Sequence, residues 1–170
     1  MHRLHLLRHA KSGYPRDTED RGRPLTRRGR EAAQLVGRSL PQALGAIDLV
    51  LCSDALRTRE TAELALAGYQ PPPRTVFENG LYLAGAKALL RRLQALDEHD
   101  YCVLLVGHNP GIHELAVALA APGSAHYRGL AAGKFPTAAR ASFAVSGAWS
   151  EIARGGHELI DYVTAKSLAG

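Results

Sequence analysis

The segment "YCVLLVG", residues 101 to 107, limits the fold more than any other stretch of the chain. It is too short for a stable helix, apolar throughout and β-branched in part, and it stops at "HNPG". A run of this kind reads as a strand covered on both faces, which belongs to the interior of a parallel sheet. Similar runs occur at "RLHLLR", "IDLVLCS" and "TVFE". Between them lie segments of helical period. Thr26 is placed to cap a helix through "RRGREAAQLVGRSLPQAL", and Ser53 or Asp54 one through "ALRTRETAELALA" ending at Gly68. "AKALLRRLQAL" and "IHELAVALAA" read as two more, "SAHYRGLAAGKFPTAA" as a long loop, and "RASFAVSG" and "HELIDYVT" as strands that extend the sheet. Alternation of this type predicts an α/β fold, a three-layer α/β/α sandwich with a mostly parallel sheet. One domain is expected over residues 1 to 170, a length that buries about two-thirds of the unfolded surface.

The composition is that of a folded protein, with 46% hydrophobic and 22% charged residues. No apolar run approaches the roughly 18 residues of a membrane span, and "MHRLHLL" is too short for a signal-peptide core. A cytoplasmic protein without a membrane partner is expected. Cys52 and Cys102 lie inside apolar runs, where cysteine behaves as a small buried hydrophobe. The net charge is +5, and residues 1 to 30 hold nine Lys/Arg against three Asp/Glu. Such an end favours an anionic partner. Its basic residues lack interleaved aromatics and match no nucleic-acid module, so a small phosphorylated group is favoured over nucleic acid.

In open α/β sheets ligands bind beyond the carboxyl ends of the strands. Here those ends carry Arg8 and His9, the segment leading to Arg57, and His108. A helix starting near Pro110 or Gly111 would add backbone N–H donors beside His108. Two arginines and two histidines suit a phosphoryl dianion. Hydrolysis of phosphate monoesters needs accelerations up to about 10²¹, hence charge neutralisation and a strong in-line nucleophile. A neutral imidazole at His9 can attack phosphorus and form a phosphohistidine, while Arg8, Arg57 and a protonated His108 hold the equatorial oxygens.

Four stretches, "LLRHAKS", "RGRPLTRRGREAA", "LVLCSDALRTRETAEL" and "VLLVGHNPGI", resemble the histidine phosphatase superfamily, with "KFPTAA" and "DYVTAKSL" agreeing near the C-terminus. The likeness is closest to the short SixA-type phosphohistidine phosphatases. It implies a phosphoglycerate mutase-like fold, His9 as the phosphorylated nucleophile, and Arg8, Arg57 and His108 as the rest of the phosphate pocket. It implies no metal and no other cofactor. Arg23 lies near the pocket in this pattern, and Lys11, Ser12 and Asn109 are further candidate substrate contacts. Members that act on alkyl phosphates place a carboxylate after the third strand. In "VFENGLYLAG" Glu78 is the local carboxylate and hence the candidate general acid, with Asn79 in the acid's place. An alkoxide needs a proton to leave, whereas a histidine ring, pKa about 6.5, brings its own. A weak acid therefore points to phosphohistidine on a signalling protein such as a phosphotransfer domain. A small phosphate ester is the second candidate substrate.

Blander readings stand beside these. Arg57 can pair with Glu60 or Thr61 on its own helix, Arg23 with Asp17, Glu19 or Asp20, and Lys11 and Ser12 can be ordinary loop residues. His5 and His113 read as structural. A cysteine phosphatase needs five residues between Cys and Arg, whereas four separate Cys52 from Arg57. "GLAAGKF" lacks the Ser/Thr and length of a nucleotide-cradling loop. A fold that only docks phosphorylated ligands is the alternative of a different class.

Overall fold

The apolar runs become six strands, and most segments of helical period become helices. A computed structural model describes residues 1–170. Its strands are β1 (His2–Arg8), β2 (Leu49–Ser53), β3 (Thr75–Glu78), β4 (Cys102–Gly107), β5 (Arg140–Val145) and β6 (Glu158–Val163). Its helices are α1 (Arg27–Leu44), α2 (Leu56–Ala65), α3 (Ala86–Gln94), α4 (Gly111–Leu119), α5 (Tyr127–Ala132) and α6 (Ala165–Ala169). The strands form one sheet in the order β3-β2-β4-β1-β5-β6. β1 to β4 are parallel, and β5 pairs antiparallel with both β1 and β6.

Every residue of β4 is buried, and its side chains divide between two apolar clusters. Val103 and Leu105 pack with Leu89 and Leu93 of α3 and Ile112 and Leu115 of α4. Leu104 and Val106 pack with Val36 and Leu40 of α1 and Ala62 of α2. A helical layer on each face is what a continuous apolar strand requires, so the architecture is the expected α/β/α sandwich. Burying each of these Leu side chains contributes about 1.5–3 kcal/mol. None of the helices is long and apolar enough to cross a membrane.

Local chemistry sets the helix ends. The Thr26 hydroxyl accepts from the Gly29 N–H at the start of α1, which ends at Gly45 with a φ of +66°. Helix α2 differs in detail, since its N-cap is Ala55 and it stops at Ala65 rather than Gly68. The segment read as a loop contains α5. Six residues flanked by Gly133 and containing Gly129 are too few to show a period, and the helix owes its place to Leu130, which is fully buried against α4. Likewise α6 is only five residues long, closed by a reciprocal Thr164–Ser167 capping box.

Candidate active site

Parallel pairing of β1, β2 and β4 brings their carboxyl ends to one edge of the sheet. There Arg8 and His9 follow β1, Arg57 enters from the first turn of α2, and His108 and Asn109 follow β4. These five side chains, with Arg23, line a pocket of about 270 Å³. Six buried side-chain N or O atoms have no hydrogen-bond partner in the protein, and four belong to Arg8, Arg57, His108 and Asn109. An unsatisfied buried polar atom costs about 1–3 kcal/mol, so their concentration here marks a site shaped for something other than stability.

His9 is held on all sides. Its N–H donates to the Gly107 carbonyl (3.0 Å), its carbonyl accepts from Ala138 (3.1 Å), and the next N–H, of Ala10, donates to the Thr61 hydroxyl (2.9 Å). The ring Nδ1 lies 2.7 Å from the Ala10 carbonyl oxygen. A carbonyl can only accept, so Nδ1 carries the proton and Nε2 keeps its lone pair. Burial, opposed by the bond to Ala10 and reinforced by the charges of Arg8, Arg57 and Arg23, pushes the His9 pKa down to about 4. The ring is neutral at physiological pH.

The His108 ring centre lies 5.3 Å from that of His9. Its Nε2 is 2.8 Å from the Ser53 hydroxyl at the end of β2. Burial, followed by His9 and Arg57, pushes its pKa down to about 3. In the free protein a desolvated ring among cations holds no proton, and the protonated His108 expected in the transition state requires the charge of a bound phosphoryl group.

Arg57 is 3% exposed, and its guanidinium pairs with neither Glu60 nor Thr61, although the Thr61 hydroxyl donates to the Arg57 carbonyl oxygen (2.7 Å). Its Nη1 and Nη2 donate to the main-chain oxygen and Oδ2 of Asp20, at 2.7 and 3.0 Å. Arg23 is equally restrained. It donates to Asp20 Oδ1 (2.8 Å), the Ser12 hydroxyl (2.7 Å) and the Gly13 carbonyl (2.9 Å), and its guanidinium lies 3.8 Å from the Tyr14 ring centre. Of the loop carboxylates Arg23 pairs with Asp20 alone, and it does so while lining the pocket.

Three candidate residues lie outside the pocket. Ser12 is buried and turned to Arg23, so it orients that arginine. The Lys11 side chain is exposed, while its carbonyl accepts from the Thr26 N–H. Glu78 makes a two-pronged ion pair with Arg92 of α3, at 2.8 and 2.9 Å. That pairing opposes its reading as general acid, because both carboxylate oxygens accept from the guanidinium and neither residue lines the pocket. Conversely, Asp20, Tyr14 and Leu83 line the pocket without having been singled out as site residues. Asp20 stands three residues before Arg23 in a basic segment, and that spacing was the only signal for it. Cys52 is buried, and desolvation pushes its thiol up to about 12, far from a nucleophilic thiolate.

The profile of the histidine phosphatase superfamily, branch 1, matches residues 4–78. An uncharacterized protein of Mycobacterium tuberculosis is 35% identical over 158 residues, covering 92% of this chain and 98% of its own. A solved structure provisionally named phosphohistidine phosphatase SixA, from Nakamurella multipartitia, is 31% identical, covers 95% of both chains and superposes with a TM-score of 0.83. Likeness in fold alone extends to a provisionally named α-ribazole-5′-P phosphatase of Escherichia coli, 19% identical over 97% of this chain and 98% of that one, with a TM-score of 0.69. The chain belongs to the histidine phosphatase superfamily. It is a hydrolase acting on phosphoester or phosphoramide bonds.

Proposed function

We propose that the chain, acting as one catalytic unit over residues 1 to 170, removes the phosphoryl group from phosphohistidine on a partner protein. His9 Nε2 attacks phosphorus, the P–N bond to the substrate ring breaks, and its electron pair stays with the departing ring. Water then attacks the phosphorylated His9, releasing inorganic phosphate and the free imidazole. Arg8 and Arg57 neutralise the equatorial oxygens, and Arg23 and Asn109 position the group. His108 takes up a proton only beside the bound dianion, whose charge raises its pKa.

The observation that carries the choice of substrate is that no carboxyl group stands ready as a proton donor. Glu78 is locked to Arg92. The Tyr82 hydroxyl, Arg23 and Arg57 hold the Asp20 carboxyl well below the usual carboxylate range, so it stays ionised. A protonated histidine ring leaves from such a pocket without help, whereas an alkoxide does not. The likeness to a SixA of 31% identity supports the same reading. A small phosphate ester is the second reading, favoured by the fold shared with the α-ribazole-5′-P phosphatase.

The test incubates wild type and His9→Ala with a histidine-phosphorylated protein and with 4-nitrophenyl phosphate. An acid-labile, base-stable phosphoenzyme is expected in wild type only. Full activity in His9→Ala would overturn the mechanism, and faster turnover of small alkyl esters than of the phosphoprotein would favour the second reading.

A further inference from the structure

The mechanism above leaves over one charged group in the pocket, the Asp20 carboxylate. Its position is set by three elements. Oδ2 accepts from Arg57 and from the Tyr82 hydroxyl, Oδ1 accepts from Arg23, and the main-chain oxygen accepts from Arg57. Tyr82 is in turn held beneath the Arg21 guanidinium, 4.2 Å from its ring centre, and edge-on to His108. Arg21 is tied to Asp54 at 2.6 Å. The carboxylate is therefore an anchored part of the pocket.

Depth separates Asp20 from the nucleophile. His9 is 7% exposed and Arg57 3%, whereas the Asp20 side chain is 46% exposed. Attack in line from His9 at the floor sends the leaving group outward, toward the mouth where Asp20 stands. Charge matching follows the same geometry. Three guanidinium groups and one carboxylate line the pocket, leaving two positive charges for a phosphoryl dianion. Without the carboxylate a further positive charge would face whatever carries the phosphoryl group.

We propose that Asp20 is a specificity-determining residue that selects a cationic nitrogen leaving group over an alkoxide. The idea rests on the reading of His9 as nucleophile and extends the phosphohistidine assignment to a named side chain. A phosphohistidine ring is cationic when protonated and becomes neutral as the P–N electron pair returns to it. Its charge is still partly positive in the transition state, where a nearby carboxylate is favourable. An ester oxygen becomes partly negative at the same point, and the same carboxylate opposes it. Asp20 also favours the protonated, reactive form of the ring.

The experiment compares two aryl phosphates that differ in charge, 4-(trimethylammonio)phenyl phosphate and 4-nitrophenyl phosphate, with the wild type, Asp20→Asn and Asp20→Glu. The readout is the ratio of kcat/KM for the cationic over the neutral ester, or the ratio of their inhibition constants where turnover is slow. Asp20→Asn should lower that ratio about fivefold, the range of a partly exposed charge pair, and Asp20→Glu should restore most of it. On a phosphohistidine protein Asp20→Asn should also move the alkaline limb of the pH profile to lower pH. An unchanged ratio in Asp20→Asn, with both esters losing equally, would overturn the proposal and leave Asp20 as a support for Arg57. A lowered ratio in an enzyme inert toward phosphohistidine proteins would instead sustain Asp20 selectivity and remove the substrate assignment.

Discussion

The Nδ1 of His9 and the carbonyl oxygen of Ala10, 2.7 Å apart, settle which face of the imidazole is free to react. The bond also stops the ring from rotating, so the proposed nucleophile is oriented before any substrate arrives.

The first prediction concerns pH. A His9 pKa of about 4 keeps Nε2 unprotonated at every pH well above that value. Formation of the phosphoenzyme from an ester of pH-independent reactivity should hold steady from neutrality down to about pH 5, then fall tenfold per unit below the pKa. Rapid-quench measurement of the phosphoenzyme into base checks this. Nitrogen chemical shifts of the free enzyme should report His9 as the Nδ1–H tautomer at pH 7.

Glu78→Gln tests the corrected acid. The Glu78–Arg92 pair is partly exposed on both sides, so its loss should cost no more than about 1 kcal/mol in urea unfolding. Turnover of 4-nitrophenyl phosphate and of alkyl esters should stay within about twofold of wild type. A collapse in alkyl ester turnover would return Glu78 to the chemistry.

Gly111→Ala tests how the pocket rim is held. A Cβ on Gly111 would sit 1.9 Å from the Ala84 carbonyl oxygen, so the start of α4 or the segment bearing Leu83 must move. Leu83 lines the pocket with a φ of +51°, an uncommon conformation for a branched residue. Overpacking of this kind costs about 1–3 kcal/mol, a fall in Tm of about 2–10 °C. Calorimetry should find that fall, and KM should rise with it.

His5 contributes to the acid limb of stability, beside His9 and His108. It is buried with Nδ1 2.6 Å from the Ser142 hydroxyl, and burial, then Arg140 and Arg3, push its pKa down to about 3. The unfolded chain binds a proton here below about 6.5 and the folded chain does not. Stability contributed by the neutral ring is therefore complete above pH 6.5 and is lost as the pH falls toward 3. Urea midpoints should drop over that window in wild type and drop less in His5→Gln.

What could be read in the sequence was local. Arg8 and His9 adjoin an apolar run, and His108 adjoins another, so each is placed by its own strand and the parallel sheet does the gathering. Asp20 was opaque for the opposite reason. It acts across 37 residues on Arg57 and 62 on Tyr82, from a segment with neither apolar period nor motif. Glu78 was visible as a carboxylate near the right strand, yet its partner Arg92 faces it from a helix 14 residues on. Helix α5 escaped because tertiary burial of Leu130 overrides a sequence of six residues with no period.

The position of β1 has a consequence for how activity appears during synthesis. His9 is made well before its neighbours, because its strand is interior to the sheet, between β4 near residue 105 and β5 near residue 142. A nascent chain that stops short of β5 cannot flank β1 on both sides, because its neighbours arrive about a hundred residues later or more. Pairing across such separations is slow and comes late in folding. The pocket is thus completed only after β4 and β5 have left the ribosome, and a chain that stops before them carries His9 without the groups that surround it.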